Sequence, residues 1–229
     1  MANRINLLYE DDSCFIFDKP AGLAVQGGQG VNTSLDSILE KEFPVRPLLV
    51  HRLDKDTSGV ILTAKSPQCA AYYTHAIAQK EAEKKYYALC YAENQDVFSD
   101  IKNEGEFFTT INIKGTEKEA RTFYKICAKA NNFVLFELVL ATGRMHQIRR
   151  QLAQKGFPVL GDDKYGAFKL NKLLRKKNNL KRLLLHASQL TIKNPAGTII
   201  NVCAPLPDYF KNFAEQEKIN LRGDHSPPQ

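Results

Sequence analysis

The chain has 229 residues, of which 43% are hydrophobic, 25% charged and 10% aromatic, with a net charge of +7; that is enough apolar material for a sizeable core and a balance foreign to disordered segments. No apolar run reaches the ~20 residues a membrane helix requires, and the start, Met1-Ala2-Asn3-Arg4-Ile5-Asn6, lacks the apolar core of a secretion signal. Five scattered cysteines without a Cys-x-x-Cys pair exclude a zinc ribbon, argue against a disulfide framework and point to a reducing cytoplasm.

Strand signals dominate. Residues 5–9 and 14–17 flank Glu10-Asp11-Asp12 and read as a hairpin. Ser34 is placed to cap a helix over 35–42. Residues 47–53 and 60–64 are apolar runs on either side of a polar connection ending in Ser58-Gly59. Ser66-Pro67 starts a helix running to about residue 79. Residues 85–91, 107–113, 122–128 and 133–140 are rich in β-branched and aromatic side chains and read as strands. A helix over 146–155 sets Ile148 and Leu152 on one face, with Arg149 and Arg150 to the side. Residues 190–192 and 198–202 flank the turn Asn194-Pro195-Ala196-Gly197. Runs of strands without regular β-α-β alternation predict an α+β fold with a mostly antiparallel sheet. The expected organisation is a single domain over 1–221 followed by a flexible tail over 222–229.

Charge is unevenly spread. Between positions 164 and 182 stand Lys164, Lys169, Lys172, Arg175, Lys176, Lys177, Lys181 and Arg182, without one carboxylate. Such a stripe attracts a polyanion and makes its binding steeply salt-dependent, which favours nucleic acid over a merely solvated face.

Two segments concentrate polar chemistry. His51-Arg52-Leu53-Asp54-Lys55-Asp56-Thr57-Ser58-Gly59 connects two apolar runs, and loops held by strands are where reactive groups usually lie. A carboxylate flanked by Arg52 and Lys55 is suited to act as nucleophile or base, or the segment is a charged turn. Thr142-Gly143-Arg144-Met145-His146-Gln147-Ile148-Arg149-Arg150 is a Gly turn leading into a helix. Its Arg144 is available to pair with Asp54, or its arginines are simply solvated. A competing reading takes Asp54-Lys55-Asp56-Thr57-Ser58 as the Asp-x-Asp-x-Thr arrangement of haloacid dehalogenase-type phosphatases, with Gly161-Asp162-Asp163 as magnesium-binding acids. That fold needs β-α-β units around a parallel sheet, which the strand runs here do not supply.

The segment from His51 to Gly59, continuing to Ala64-Lys65, resembles the catalytic motif of the RluA-type pseudouridine synthases, His-Arg-Leu-Asp-x-x-Thr-Ser-Gly. Asp18-Lys19-Pro20-Ala21-Gly22-Leu23 resembles the family's Lys-Pro-x-Gly element, and Lys84-Lys85-Tyr86-Tyr87-Ala88 its Lys-x-Tyr-x-Ala strand. Residues 142–149 resemble its Thr-Gly-Arg-x-His-Gln-Ile-Arg element, and Gly156-Phe157-Pro158-Val159-Leu160-Gly161-Asp162 through Tyr165-Gly166 the loop after it. With Leu185-His186-Ala187 and Pro205, the likeness covers nearly the whole chain. Family members usually follow Ile-Arg with Val-His, where this chain has Arg150-Gln151, a departure expected to bear on RNA contacts. The N-terminal S4-like domain of many relatives is not expected here.

The resemblance implies a pseudouridine synthase fold with a central, mostly antiparallel sheet, flanking helices and a basic RNA-binding cleft. It implies conversion of a uridine in ribosomal or transfer RNA, held in a structured loop or stem-loop, to pseudouridine. The enzyme is expected to be a cytoplasmic monomer that needs neither cofactor nor metal. By the same resemblance Asp54 is the essential aspartate, Arg144 its ion-pair partner and Tyr86 the aromatic that packs on the uracil. Arg52 helps hold the RNA with the target base displaced. His51, Thr57, His146, Gln147 and Arg149 are carried over as substrate-binding, and Lys172, Arg175, Lys176 and Lys177 of the basic stripe are expected to contact phosphates. The rival of another class is an RNA-binding protein without catalysis, for which a carboxylate inside a basic cleft has no use.

Overall fold

The computed structural model describes residues 5–28, 30, 32–113 and 115–221. The expected tail over 222–229 lies outside the described residues. The described chain forms ten strands and six helices and divides into two compact units, Met1–Lys84 with Ala187–Pro205, and Lys85–His186 with Leu206–Gln229.

In the first unit the strand order is β1 (Asn6–Glu10), β2 (Cys14–Lys19), β4 (Ser58–Ala64) and β9 (Leu185–Lys193), with β3 (Leu48–Leu49) on β4 and β10 (Ile199–Cys203) on β9. The β1–β2, β2–β4, β3–β4 and β9–β10 pairs are all antiparallel. The predicted hairpin closes on Asp11, whose carboxylate accepts the N–H groups of Ser13 and Cys14 at 2.7 and 2.9 Å. Burial opposes its charge, but these bonds and those from the Ser13 hydroxyl and Asn194 amide outweigh it and hold the carboxyl well below the usual range. Helix α1 (Leu35–Glu42) begins at Ser34 in a capping box with Ser37. Helix α2 (Pro67–Ala78) begins at Ser66, whose hydroxyl accepts the Cys69 N–H, with Pro67 in the first turn. Strand β2 is apolar throughout Cys14-Phe15-Ile16-Phe17 because both of its faces are covered. Cys14 and Ile16 join Leu62, Tyr73 and Ile200 in one core, while Phe15 and Phe17 meet Phe43 beyond α1.

In the second unit the antiparallel order is β5 (Glu83–Tyr91), β8 (Phe133–Leu140), β7 (Thr116–Ala130) and β6 (Glu104–Ile113). Helices α5 (Phe168–Lys177) and α6 (Asp208–Gln216) contribute Leu174, Phe210 and Phe213 to a core with Leu89 and Leu135. Helix α4 (Gln147–Gln154) buries Ile148 and Leu152 as its pattern predicts. The short α3 (Gln95–Asp100), capped by Asn94, buries none of its residues.

The structure departs from the expected elements in three ways. The apolar run 47–53 yields a strand of two residues, because the chain leaves the sheet after Leu49. Strand β7 reaches 15 residues because β6 pairs with it from Thr116 to Lys125 and β8 from Thr122 to Ala130. Helices α3, α5 and α6 add to the elements expected from the sequence.

Gln151 corrects a further expectation. It is fully buried, accepts the Thr122 hydroxyl at 2.6 Å and donates to the carbonyls of Phe107 and Ala120 at 2.9 and 2.8 Å. The departure at this position therefore concerns the seating of α4 on β6 and β7, and not RNA.

Candidate active site

In the first unit the segment between β3 and β4 carries Asp54. Leu53, 8% exposed, anchors it in the core, and the Thr57 N–H donates to the Asp54 carbonyl at 3.2 Å to close a turn. Asp54 itself is half-buried, with Arg52 and Lys55 exposed on either side of it. Thr57 and Ser58 are buried as β4 begins. Gly59 has φ +108°, and a Cβ there would lie 2.1 Å from the Ala187 carbonyl oxygen, so the backbones of β4 and β9 meet this closely only at glycine.

The Lys19 element lies against this loop. Lys19 is fully buried, and its ammonium donates to the carbonyls of Pro20, Leu23 and Lys55 at 2.9, 2.9 and 3.0 Å. The Gly22 N–H donates to the same Lys55 carbonyl at 2.9 Å. Burial pushes Lys19 down to about 8, against the pull of the Asp56, Asp54 and Asp18 carboxylates. The backbone next to Asp54 is thus held by a buried cation, a role the sequence did not disclose, although the Lys-Pro-x-Gly resemblance had marked the residue itself.

His51, expected as a substrate ligand, is half-buried and spends one ring nitrogen inside the fold. Its Nε2 accepts the Leu62 N–H at 3.0 Å, and burial together with the Lys84 ammonium pushes the imidazole down to about 3. Thr57, 2% exposed, is likewise interior.

The second unit carries Tyr86 and Arg144. Tyr86 is 7% exposed on β5, opposite Leu138 of β8. Arg144 is exposed, with Nε donating to the Glu119 carbonyl at 3.4 Å. Its turn is built on Gln147: the side-chain oxygen accepts the Arg144 N–H at 3.0 Å and the Thr142 hydroxyl at 2.7 Å. The amide nitrogen donates to the Arg121 carbonyl and the Thr122 hydroxyl. Gln147 is 3% exposed and its amide is used internally, so it shapes the turn and does not line a surface. His146 sits at the start of α4 in the left-handed region, φ 53°, with Nδ1 3.0 Å from the Tyr165 hydroxyl.

Arg149 is also turned inward. Its Nε and Nη2 donate to the two Asp162 oxygens at 2.7 and 2.8 Å. Asp162 further accepts the N–H groups of Lys164 and Tyr165, and its carbonyl accepts from Asn171 of α5. Burial opposes the charge on Asp162, but Arg149 and the two backbone donors hold its carboxyl below the usual range. This carboxylate is consumed by an arginine, and the sheet is mostly antiparallel, so the magnesium-phosphatase reading fails on both counts. Among the described residues no three His, Cys, Asp or Glu side chains group as a metal site.

Lys172, Arg175, Lys176 and Lys177 are exposed on α5, with Lys164, Lys169, Lys181 and Arg182 also exposed. Lys177 is 3.4 Å from a Glu217 oxygen. No helix among the described residues is long and apolar enough to cross a membrane.

Residues 13–154, which include Asp54, Tyr86 and Arg144, match the family model described as RNA pseudouridylate synthase. The chain is 35% identical over 220 residues to a "Ribosomal large subunit pseudouridine synthase C" of Buchnera aphidicola subsp. Schizaphis graminum (strain Sg), covering 91% of this chain and 69% of that protein. It is 38% identical over 224 residues to the protein of that name in Rickettsia bellii (strain RML369-C), covering 89% and 69%. In fold it is similar to the solved structure "Human RNA Pseudouridylate Synthase Domain Containing 4", with a TM-score of 0.75 and 24% identity over 95% of each chain. On the sequence motifs, the antiparallel α+β architecture and these matches together, the chain belongs to the RNA pseudouridylate synthase family, isomerases that act on RNA.

Proposed function

We propose that the protein isomerises uridine to pseudouridine in ribosomal RNA through Asp54. The ribosomal assignment is supported by the names of the curated relatives, whereas the sequence alone left transfer RNA equally open. The reaction breaks the C1′–N1 bond, turns the uracil, forms a C1′–C5 bond and releases the C5 proton while N1 takes one up, with no redox change and no group passed to another molecule. Asp54 either attacks C1′ or takes the C2′ proton to give a glycal; both require a carboxylate in a fixed place. Tyr86 is the aromatic that packs on the uracil, and Arg144 is carried over from the motif resemblance as a residue the reaction needs. Arg52 helps keep the target base out of its stack, at a cost of roughly a few kcal/mol that phosphate contacts and stacking offset. Lys172, Arg175, Lys176 and Lys177 supply phosphate contacts from α5. The protein acts as a cytoplasmic monomer on a uridine in a structured loop or stem-loop.

The observation that carries this reading is the half-buried Asp54 on a loop whose neighbours are pinned by the buried Lys19 ammonium and the Thr57 turn. Preorganisation of this kind is what chemistry at a single sugar carbon demands. The test is tritium release from C5-labelled RNA by purified protein in EDTA without added nucleotide. Release is expected; none from RNA of cells lacking the protein, ribosomal RNA included, overturns the proposal.

A further inference from the structure

The Leu62 N–H is satisfied in an unusual way. The Lys65 N–H donates to the Ser13 carbonyl at 3.0 Å, and the β2–β4 register pairs Phe15 with Thr63 and Phe17 with Ile61. Ladder bonds alternate along an antiparallel strand, so Thr63 and Ile61 bond to β2, while Ala64 and Leu62 turn their backbone groups to the opposite edge. On that edge β3 pairs Leu48 with Ala64. Continuing the register would bring the Val50 carbonyl to the Leu62 N–H. Instead β3 ends at Leu49, and His51 Nε2 takes that N–H at 3.0 Å.

A buried N–H left without an acceptor is costly, so a strand normally cannot stop one bond early beside a buried neighbour. Here an imidazole substitutes for the missing carbonyl, and the backbone is free to leave the sheet at Val50. The next residues, Arg52, Leu53 and Asp54, are the ones that leave. This acceptor role requires a neutral ring with its proton on Nδ1.

We propose that His51 is a positioning residue: by standing in for a strand carbonyl it fixes where the chain departs from β4 and so where Asp54 is held. The inference rests on the reading that Asp54 performs the chemistry. It assigns His51 neither RNA contact nor proton transfer.

The experiment compares wild type, His51→Leu and His51→Gln in the full chain. Each is measured by single-turnover tritium release at saturating RNA, RNA Kd, thermal melting and hydrogen exchange at the Leu62 amide. Leucine fills the space without an acceptor, whereas glutamine reaches with an oxygen. The expected result for His51→Leu is at least tenfold slower turnover, a Kd within twofold and faster Leu62 exchange. His51→Gln restores most of the rate and of the amide protection, and its pH–rate profile keeps the wild-type shape. A wild-type rate in folded His51→Leu overturns the proposal, as does weaker RNA binding at an unchanged rate. A changed profile shape in His51→Gln also overturns it, since that marks a proton-transfer role. If His51→Leu does not fold, His51→Gln decides: a rate within threefold of wild type with protected Leu62 supports the proposal, and a tenfold loss sinks it. Absence of tritium release from wild type is a failure of the parent reading alone, because Leu62 exchange reports on His51 without turnover.

Discussion

Arg149 and Asp162 form a two-bond ion pair at 2.7 and 2.8 Å inside the second unit, with 6% and 0% of their side-chain surfaces exposed. Removing one partner strands the other charge in the interior, which typically costs about 3–5 kcal/mol. Arg149→Met is therefore expected to lower the melting temperature by ~10 °C for a chain of this length. Adding Asp162→Asn, which keeps an acceptor for the Lys164 and Tyr165 N–H groups, should recover part of the loss. Thermal melts of the single and double variants check this; additive losses would mean that the two residues are not coupled.

Asp54→Asn is expected to abolish turnover while RNA affinity persists or rises. The amide keeps the carboxylate's size but loses its nucleophilicity and basicity, and one less negative charge does not weaken attraction to phosphates. Asp56→Asn is the comparison and should retain substantial activity. Single-turnover tritium release beside filter binding measures both. A folded Asp54→Asn protein that still isomerises uridine is incompatible with the mechanism.

Neutralising Lys172, Arg175, Lys176 and Lys177 together should weaken RNA binding and leave single-turnover chemistry at saturating RNA near wild type. These side chains are exposed on one helix, and removing each phosphate-binding charge reduces the log–log salt slope by ~0.7 to 0.9. Binding titrations at several salt concentrations read the slope directly. An unaltered slope would show that α5 carries only a solvated face.

Lys19→Met removes the donor shared by the Pro20, Leu23 and Lys55 carbonyls. The Lys55 carbonyl keeps the Gly22 N–H, but the Pro20 and Leu23 carbonyls lose this donor at about 1–3 kcal/mol for a buried acceptor left unmet, so a marked fall in stability is expected. Urea unfolding followed by circular dichroism provides the check, and a midpoint equal to wild type would contradict it.

Asp18 links stability to pH. Burial raises its carboxyl to about 6, against the opposing pull of Lys19. The folded chain therefore binds a proton here that the unfolded chain, with its ordinary value near 3.8, has already released. Stability from this group is present below about pH 4 and is lost as pH rises through 6. Asp18→Asn should match wild type at pH 4 and melt higher at pH 7, a difference that melts at half-unit pH steps will resolve.

Local signals located most elements because the physics there is local. Ser34 and Ser66 cap the helices their hydroxyls announce, and β8 begins and ends where its apolar run does. Helix α5 stayed hidden because its buried face is narrow, Leu174 with the polar Asn171, among exposed lysines. Helix α6 shows Phe210, Phe213 and Ala214 at helical spacing and was legible in principle. At the site, motif resemblance selected Asp54, Tyr86 and Arg144. It did not distinguish outward-facing residues from the buried Thr57, or from His51, Gln147 and Arg149, whose respective partners Leu62, Thr122 and Asp162 are set by strand register and tertiary packing. The Lys-Pro-x-Gly resemblance marked Lys19 but not its buried role, since its three carbonyl partners are brought to it by the fold.

Gln151 has a consequence for acid tolerance. A histidine in its place would be a titratable ring among the Phe107 and Ala120 carbonyls and the Thr122 hydroxyl that the glutamine amide now satisfies. Protonating such a ring would leave it with no site to accept the Thr122 hydroxyl. The amide carries the same donors and acceptor at every pH. The seat of α4, and with it the turn that presents Arg144, is thereby insulated from acidification at this position.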